Sequence, residues 1–267
     1  MERRYDPKLN KRQYLTHADC TVYTVNGLAV RNASEPDEEF GNFATHDEFP
    51  DCIGNREVWI SEKLASKEGV FFVANALTYL SRVAAGATDR AYDAGIEIER
   101  SLRESINGIE FRDGRPHKRV PEAIYLGEYL TLPDPKGDVT VYLIDGNMAR
   151  SYYKTDYTQG GHGYVYPWVP KQQIWIEDGS DHRELPFIVC HEYLERRLMR
   201  DARLGYDRAH EIASALEFDL RKGTGLTKLL TAGRKIGKAD LPGLTDEAVY
   251  EFVNAHYRHA SGRKREP

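Results

Sequence analysis

The chain has 267 residues, 40% of them hydrophobic, with 37 Lys plus Arg against 42 Asp plus Glu and a formal net charge of −5. That is enough apolar material for one substantial core or two modest ones, so disorder is excluded as the default, and the acidic balance argues against a general nucleic-acid binder. Three cysteines, Cys20, Cys52 and Cys190, stand far apart with no CxxC pair, so neither a disulfide framework nor a thiolate zinc site is expected.

The opening segment "MERRYDPKLNKRQYL" is charged and lacks an apolar h-region, and no stretch approaches the length that crosses a bilayer. The expectation is a cytoplasmic protein with no membrane partner. From Thr21 the chain reads "TVYTVNGLAVRN", an alternating strand pattern that meets Asn26-Gly27, a hairpin cue. "HDEFPDCIGNREVWIS" follows from His46, then the helical "FFVANALTYLSR" and "DRAYDAGIEIERSLR".

After a stretch rich in Gly, Pro and charge, the same order recurs: "TVYLIDGNMARS" with its own turn signal at Asp145-Gly146, "HGYVYPWVPKQQIWIE" from His162, "FIVCHEYLERRL" and "DRAHEIASALEFDLR". Pro50 pairs with Pro167, Trp59 with Trp175 and Ile60 with Ile176 across a single-residue gap. Four matches in one order at a nearly constant offset point to a tandem duplication. The expected fold class is α+β, each unit a β-hairpin and strand followed by two helices. Residues 14–103 form one copy, 104–128 a linker and 129–221 the other copy. Residues 222–258 form a C-terminal helical segment, with Val249, Phe252 and Val253 at helical spacing, and 259–267 a basic tail.

In the second copy Pro186 suits the first turn of a helix, Gly205 can end it and Asp207 can cap the next. At about 100° per residue, Phe187, Leu194 and Leu198 cluster on one side of that helix, and His191 and Glu195 fall on the same side. Arg196, Arg197 and Arg200 fall opposite, on what is expected to be a solvated face. A carboxylate buried without a partner costs several kcal/mol, so Glu195 needs an arginine, a histidine or a metal.

His191 and Glu195, at i and i+4, can converge on one ion. His210 opens the next helix, where the positive end of the dipole disfavours imidazolium and leaves the neutral ring a metal requires. Two imidazoles and one carboxylate leave a fourth position for water, the arrangement of a catalytic zinc site. Glu192, about 100° round from His191, is placed to take a proton from that water while the metal polarises a carbonyl.

The strand "QIWIE", the helix "HEYLE" and the later "DRAHE" together resemble the zincin metallopeptidases, whose HExxH helix supplies two histidine ligands and a glutamate base. The resemblance covers about a sixth of the chain. It implies zinc, Glu192 as base, and a peptide or other amide as substrate. Glu195 stands where the family has its second histidine, so the ligand set is permuted and peptidase activity does not follow automatically.

Across the copies, His191 faces Asn75, Glu192 faces Ala76, Glu195 faces Tyr79 and His210 faces Tyr92, while Phe71, Val73 and Asp89 match Phe187, Val189 and Asp207. Loss of four polar residues together, with packing residues kept, is what a cooperative ligand set predicts. Glu217 has Glu99 as its counterpart and is read as structural. His162 is paired with His46 and read as a hydrogen-bonded loop histidine; with Tyr164, Tyr166 and Trp168 it is assigned to a candidate substrate groove.

The leading expectation is a metal-dependent hydrolase acting through a metal-activated water, with copy one a degenerate scaffold. The alternative is a non-enzymatic interaction protein built on the duplication, and a third is a di-iron site using Glu192 or Glu195 with His210 and Glu217, which lacks the ordered Glu-x-x-His spacing on two helices. There is no GxxxxGK[ST] loop, no GxGxxG after a strand and no serine elbow. Cys190 and His191, as helix neighbours, point apart.

Overall fold

The computed structural model describes residues 9–35, 38–108, 121–134 and 136–222. The C-terminal helix and basic tail expected from sequence lie outside them, as do residues 109–120 of the linker. The described residues form an α+β fold of two similar four-stranded sheets, each followed by a pair of helices.

In copy one, β1 (Arg12–His17) and β2 (Cys20–Val25) form an antiparallel hairpin that turns through Ala18, at φ 51°. Helix α1 (Gly27–Ala33) follows, then β3 (Phe43–Thr45), β4 (Glu57–Ser61), α2 (Glu62–Ala84) and α3 (Ala91–Asn107). β4 lies parallel to β2 and antiparallel to β3, giving the order β1-β2-β4-β3.

Copy two repeats this with β5 (Tyr125–Leu132), β6 (Val139–Ile144), α4 (Gly146–Tyr152), β7 (Gly160–His162), β8 (Gln173–Glu177), α5 (Leu185–Asp201) and α6 (Tyr206–Arg221), in the order β5-β6-β8-β7. β5 begins, and α3 ends, inside the stretch assigned to the linker.

The turn signals have a different role from the hairpin expected. Asn26 and Asp145 are helix N-caps whose side chains accept from the amides of Ala29 and Met148, each at 3.0 Å. An Asx side chain satisfies a free helical N–H as readily as it tolerates a tight turn, so Asx-Gly after a strand does not separate the two. The hairpins lie one strand earlier.

Contacts divide the chain into two compact units that cut across the copies: Met1–Ile124 with Asp145–Gln159, and Tyr125–Ile144 with Gly160–Pro267. Helix α4 thus belongs to the first unit. It is tied there by Arg150, fully buried, which donates to Glu68 from Nε (2.8 Å) and Nη2 (2.6 Å) and to the Tyr157 carbonyl (2.8 Å). In that unit Val22, Val58, Ile60, Leu64, Phe72 and Val73 form the core between sheet and α2, while Val25, Phe40, Phe49 and Trp59 pack on the sheet's other face.

In the second unit Val139, Val141, Ile174 and Ile176 pack on Leu185, Ile188 and Val189 of α5, and Cys190, Leu194 and Leu198 pack on Ala209 and Leu216 of α6. Each such side chain contributes roughly 1.5–3 kcal/mol on burial.

Helix α5 has no solvated arginine face. Arg196 is fully buried and Arg197 nearly so. Arg196 donates to the Lys171 carbonyl at 3.0 Å and pairs with Asp134 at 3.3 Å; Arg200 reaches Asp134 at 2.8 Å and Asp201 at 2.7 Å. Helical periodicity places a side chain on a face but does not show whether a charged partner covers it.

Burial would raise the Asp134 carboxyl, but the bond from Arg200, helped by Arg196, holds it below its ordinary value. Its stabilising contribution is therefore complete above the unfolded carboxylate value of about 3.9 and is lost as pH falls through the lower folded one. Urea unfolding of wild type and Asp134→Asn should differ near pH 6 and draw together as pH falls through the lowered folded value; a gap of unchanged size at the acid end contradicts the assignment.

Candidate metal centre

Helix α5 starts with Pro186 in its first turn, where the missing N–H costs no hydrogen bond. Gly205 caps α6 rather than ending α5, and Asp207 lies in the first turn, so His210 stands two residues deeper in the helix than the sequence suggests. The α5–α6 pair brings His191, Glu195 and His210 together. His191 Nε2 lies 3.2 Å from His210 Nδ1, His210 Nδ1 lies 2.7 Å from Glu195 Oε2, and His191 Nε2 lies 3.6 Å from Glu195 Oε2. For bonds of about 2.0 Å, a tetrahedral ion separates its ligand atoms by about 3.3 Å, so the three atoms form a triangle of ligand size. They are one of the groups among the described residues whose donors lie close enough to hold a metal ion.

The second group, His162, Glu192 and Glu195, shares Glu195 with the first. His162, at the end of β7 and fully buried, places Nε2 3.0 Å from Glu195 Oε1, so the two carboxylate oxygens face different histidines. Its Nδ1 accepts from the Tyr164 amide at 3.2 Å. Burial holds the His162 ring below its ordinary value despite the nearby Glu195.

Behind the triangle, Glu217 Oε2 lies 3.1 Å from His191 Nδ1, and Arg221 holds Glu217 Oε1 at 2.7 Å and Glu184 Oε1 at 3.2 Å. A carboxylate has no hydrogen to offer, so the hydrogen at this ion-pair contact is on His191 Nδ1, and Nε2 is left to face the triangle.

The electrostatics follow the geometry. Burial would raise Glu195, but bonds from His162, His191 and His210 outweigh it and hold the carboxyl far below the usual range. Burial would likewise lower His191, yet Glu195 and Glu217 hold it well above its ordinary value. Glu217 is lowered to about 2, its burial outweighed by His191 and Arg221. Glu192 behaves oppositely: burial and the neighbouring Glu195 push it up to about 8. Two carboxyls one helical turn apart are thus driven in opposite directions, a pattern typical of functional sites. Burial also pushes the Cys190 thiol up, which suits a core residue and not a nucleophile.

The duplicated half repeats the support without the ligands. Arg103 joins Glu68 (2.9 Å) and Glu99 (2.8 Å), and Asn75 donates to Glu99 at 2.7 Å, where the other copy has the His191–Glu217 ion-pair contact. Arg103 lies 4.3 Å over Phe71, and Arg221 4.8 Å over Phe187. Tyr79 and Tyr92, in place of Glu195 and His210, bond instead to Asp47 and Asp156.

No family model, no curated protein and no solved structure matches this chain. The residues themselves therefore carry the functional reading.

Strand register corrects one pairing made from sequence. Gly160, Gly161 and His162 face Ile176, Trp175 and Ile174, while Phe43, Ala44 and Thr45 face Ile60, Trp59 and Val58. The counterpart of His162 is therefore Thr45, not His46, whose Nδ1 instead donates to the Ile53 carbonyl at 2.7 Å within its own loop. The same register puts Phe43 opposite Gly160. Phe43 stacks on Phe72 at 5.5 Å, whereas a Cβ on Gly160 would come within 2.8 Å of Glu192 Oε1. A large residue with Ala76 in one copy answers to no side chain with Glu192 in the other.

The aromatic loop divides. Trp168 packs on Trp175 at 5.4 Å and Tyr166 on Trp168 at 4.9 Å. Trp175 alternates with Ile174 and Ile176, whose side chains meet α5, so Tyr166 and Trp168 cover the opposite face of the sheet. Tyr164 lies under Lys171 and Arg196, and His162, being wholly buried, touches no solvent-borne molecule. The four residues therefore do not line one surface: His162 is buried beside Glu195, while Tyr166 and Trp168, half-buried, lie on the other face of the sheet. The more open side of the triangle is at His210, whose side chain is 27% exposed, beneath the stacked ring of Tyr206. No described helix is long and apolar enough to cross a membrane.

Proposed function

We propose that the chain is a metal-dependent hydrolase of peptide or other amide bonds, with His191, Glu195 and His210 holding one divalent ion, zinc by default, and Glu192 acting as base. The observation that carries this is the triangle of His191 Nε2, Glu195 Oε2 and His210 Nδ1, with a raised buried carboxyl beside it. Because His191 Nδ1 faces the Glu217 carboxylate at ion-pair distance, the three atoms turned toward one another have at most a proton or two to share. An ion satisfies all three at once. Their chemistry, two imidazoles and one carboxylate, suits zinc and leaves a place for water.

The ion would supply Lewis acidity, lowering the pKa of water and polarising a carbonyl. The chain's own residues do the rest. Glu217 and Arg221 orient His191, and Glu192, beside Glu195 but outside the triangle, receives the proton and returns it to the leaving nitrogen. Gly160 leaves the room in which that carboxyl sits. Approach from the His210 side puts Tyr206, 46% exposed, next to the substrate.

Elemental mass spectrometry of the purified chain tests this. One equivalent of metal in the wild type and none in His191→Ala is expected. A metal-free wild type that also fails to take up added zinc supports the non-enzymatic interaction protein instead.

A further inference from the structure

We propose that His162 belongs to the metal centre as a positioning residue: its buried Nε2, 3.0 Å from Glu195 Oε1 at ion-pair distance, holds that oxygen electrostatically and so leaves Oε2 as the oxygen of that carboxylate turned to the ion. This rests on the metal-site reading above and assigns a role to a residue that the ligand triangle does not contain.

The tautomer carries the argument. A backbone amide can only donate, so the 3.2 Å contact from the Tyr164 N–H makes His162 Nδ1 an acceptor. The ring hydrogen is then on Nε2, the atom 3.0 Å from Glu195 Oε1. A nitrogen that carries a hydrogen has no lone pair for a metal, so His162, Glu192 and Glu195 do not make a second ion site despite their proximity. They make the outer shell of the first one. A carboxylate held this way at one oxygen has one orientation and one free oxygen, where an unrestrained one alternates between one-oxygen and two-oxygen binding.

The duplication supplies a second, independent observation. Residues that serve the fold persist in both copies: Glu99 and Arg103 in one repeat the bonds of Glu217 and Arg221 in the other. His162 does not persist. With the register aligned, its counterpart is Thr45, whose hydroxyl bonds to Glu48 at the start of its own loop. His162 is therefore replaced together with His191, Glu192, Glu195 and His210, and Gly160 with them. A histidine needed only to close the β7 loop has no reason to follow the ligands.

The test uses the full chain with zinc and cobalt(II). His162→Met fills the volume without a donor, and His162→Gln keeps an N–H near the same place. Folding of each is checked by circular dichroism, and His162→Ala takes the place of His162→Met if that variant does not fold. Expected are one ion per chain in all of them, zinc affinity about 10- to 100-fold weaker in His162→Met, and a cobalt absorption band altered in shape. His162→Gln should recover most of both.

An unchanged affinity and cobalt spectrum in His162→Met overturn the proposal while leaving the metal site intact. Two ions in the wild type and one in His162→Met also overturn it, because His162 is then a ligand. A wild type that binds no metal is a different failure: it removes the triangle itself, and this inference with it.

Discussion

Glu192→Gln should keep its metal and lose roughly 100- to 10,000-fold in amide hydrolysis, the range a positioned general base contributes. Gln has nearly the volume of Glu, so the space beside Gly160 remains filled and the α5 packing undisturbed. What changes is the ability to hold a proton. Without an ion the carboxyl of Glu192 is pushed up to about 8 by burial and by Glu195, and the charge of a bound divalent ion would draw it back toward a base able to take a proton near neutral pH. Glu195 cannot take that part, because three histidines keep it ionised. The comparison is rate per bound ion against a panel of fluorogenic peptides, with zinc content measured on the same samples. Loss of zinc in Glu192→Gln would make Glu192 a ligand; full activity would remove it from the chemistry.

Arg221→Met and Arg103→Met should both destabilise the chain, and only the first should weaken the metal. Each arginine sits among buried carboxylates, Arg221 with Glu184 and Glu217, Arg103 with Glu68 and Glu99. Removing one partner of a buried pair costs about 3–5 kcal/mol because it strands charge, and Met replaces the stem that stacks on Phe187 or Phe71. Arg103→Met should fall at the low end. Burial already raises Glu99, so it can take a proton, and Arg150 still serves Glu68. Glu217 has less of that escape, because His191 beside it still favours the charged form when Arg221 is gone. It also orients His191, so zinc affinity in Arg221→Met should fall by about 10- to 100-fold. Urea unfolding and chelator competition separate the two effects. Equal zinc affinity in both variants would mean that the shell behind His191 does not act on the ion.

Much of this arrangement was legible in the chain. The duplication predicted two like units of strands followed by two helices, and the α5 periodicity placed His191 and Glu195 on one side of a helix within reach of His210. Both signals are local: they depend on residues repeated in order or spaced along one helix. What escaped depended on partners distant in sequence.

His162 was paired with His46 because identical residues attract an alignment, whereas strand register, fixed by hydrogen bonds to β8 and β4, shifts the match to Thr45. The buried arginines of α5 looked solvated because Asp134, which neutralises Arg196 and Arg200, is more than sixty residues upstream. The aromatic loop looked like a groove because composition does not tell which face of the sheet Trp168 covers. One signal was available and unread: Phe43 and Ala76 exchange size with Gly160 and Glu192, as residues in contact do in a packed interior.

X-ray diffraction on zinc-loaded crystals, recorded on both sides of the zinc absorption edge, tests the central claim most directly. One anomalous peak is predicted about 2.0–2.2 Å from His191 Nε2, Glu195 Oε2 and His210 Nδ1, with His162 Nε2 facing Glu195 Oε1 and not the ion. Zinc bound only at surface residues, with the three side chains still hydrogen-bonded to one another as a closed cluster, would contradict it.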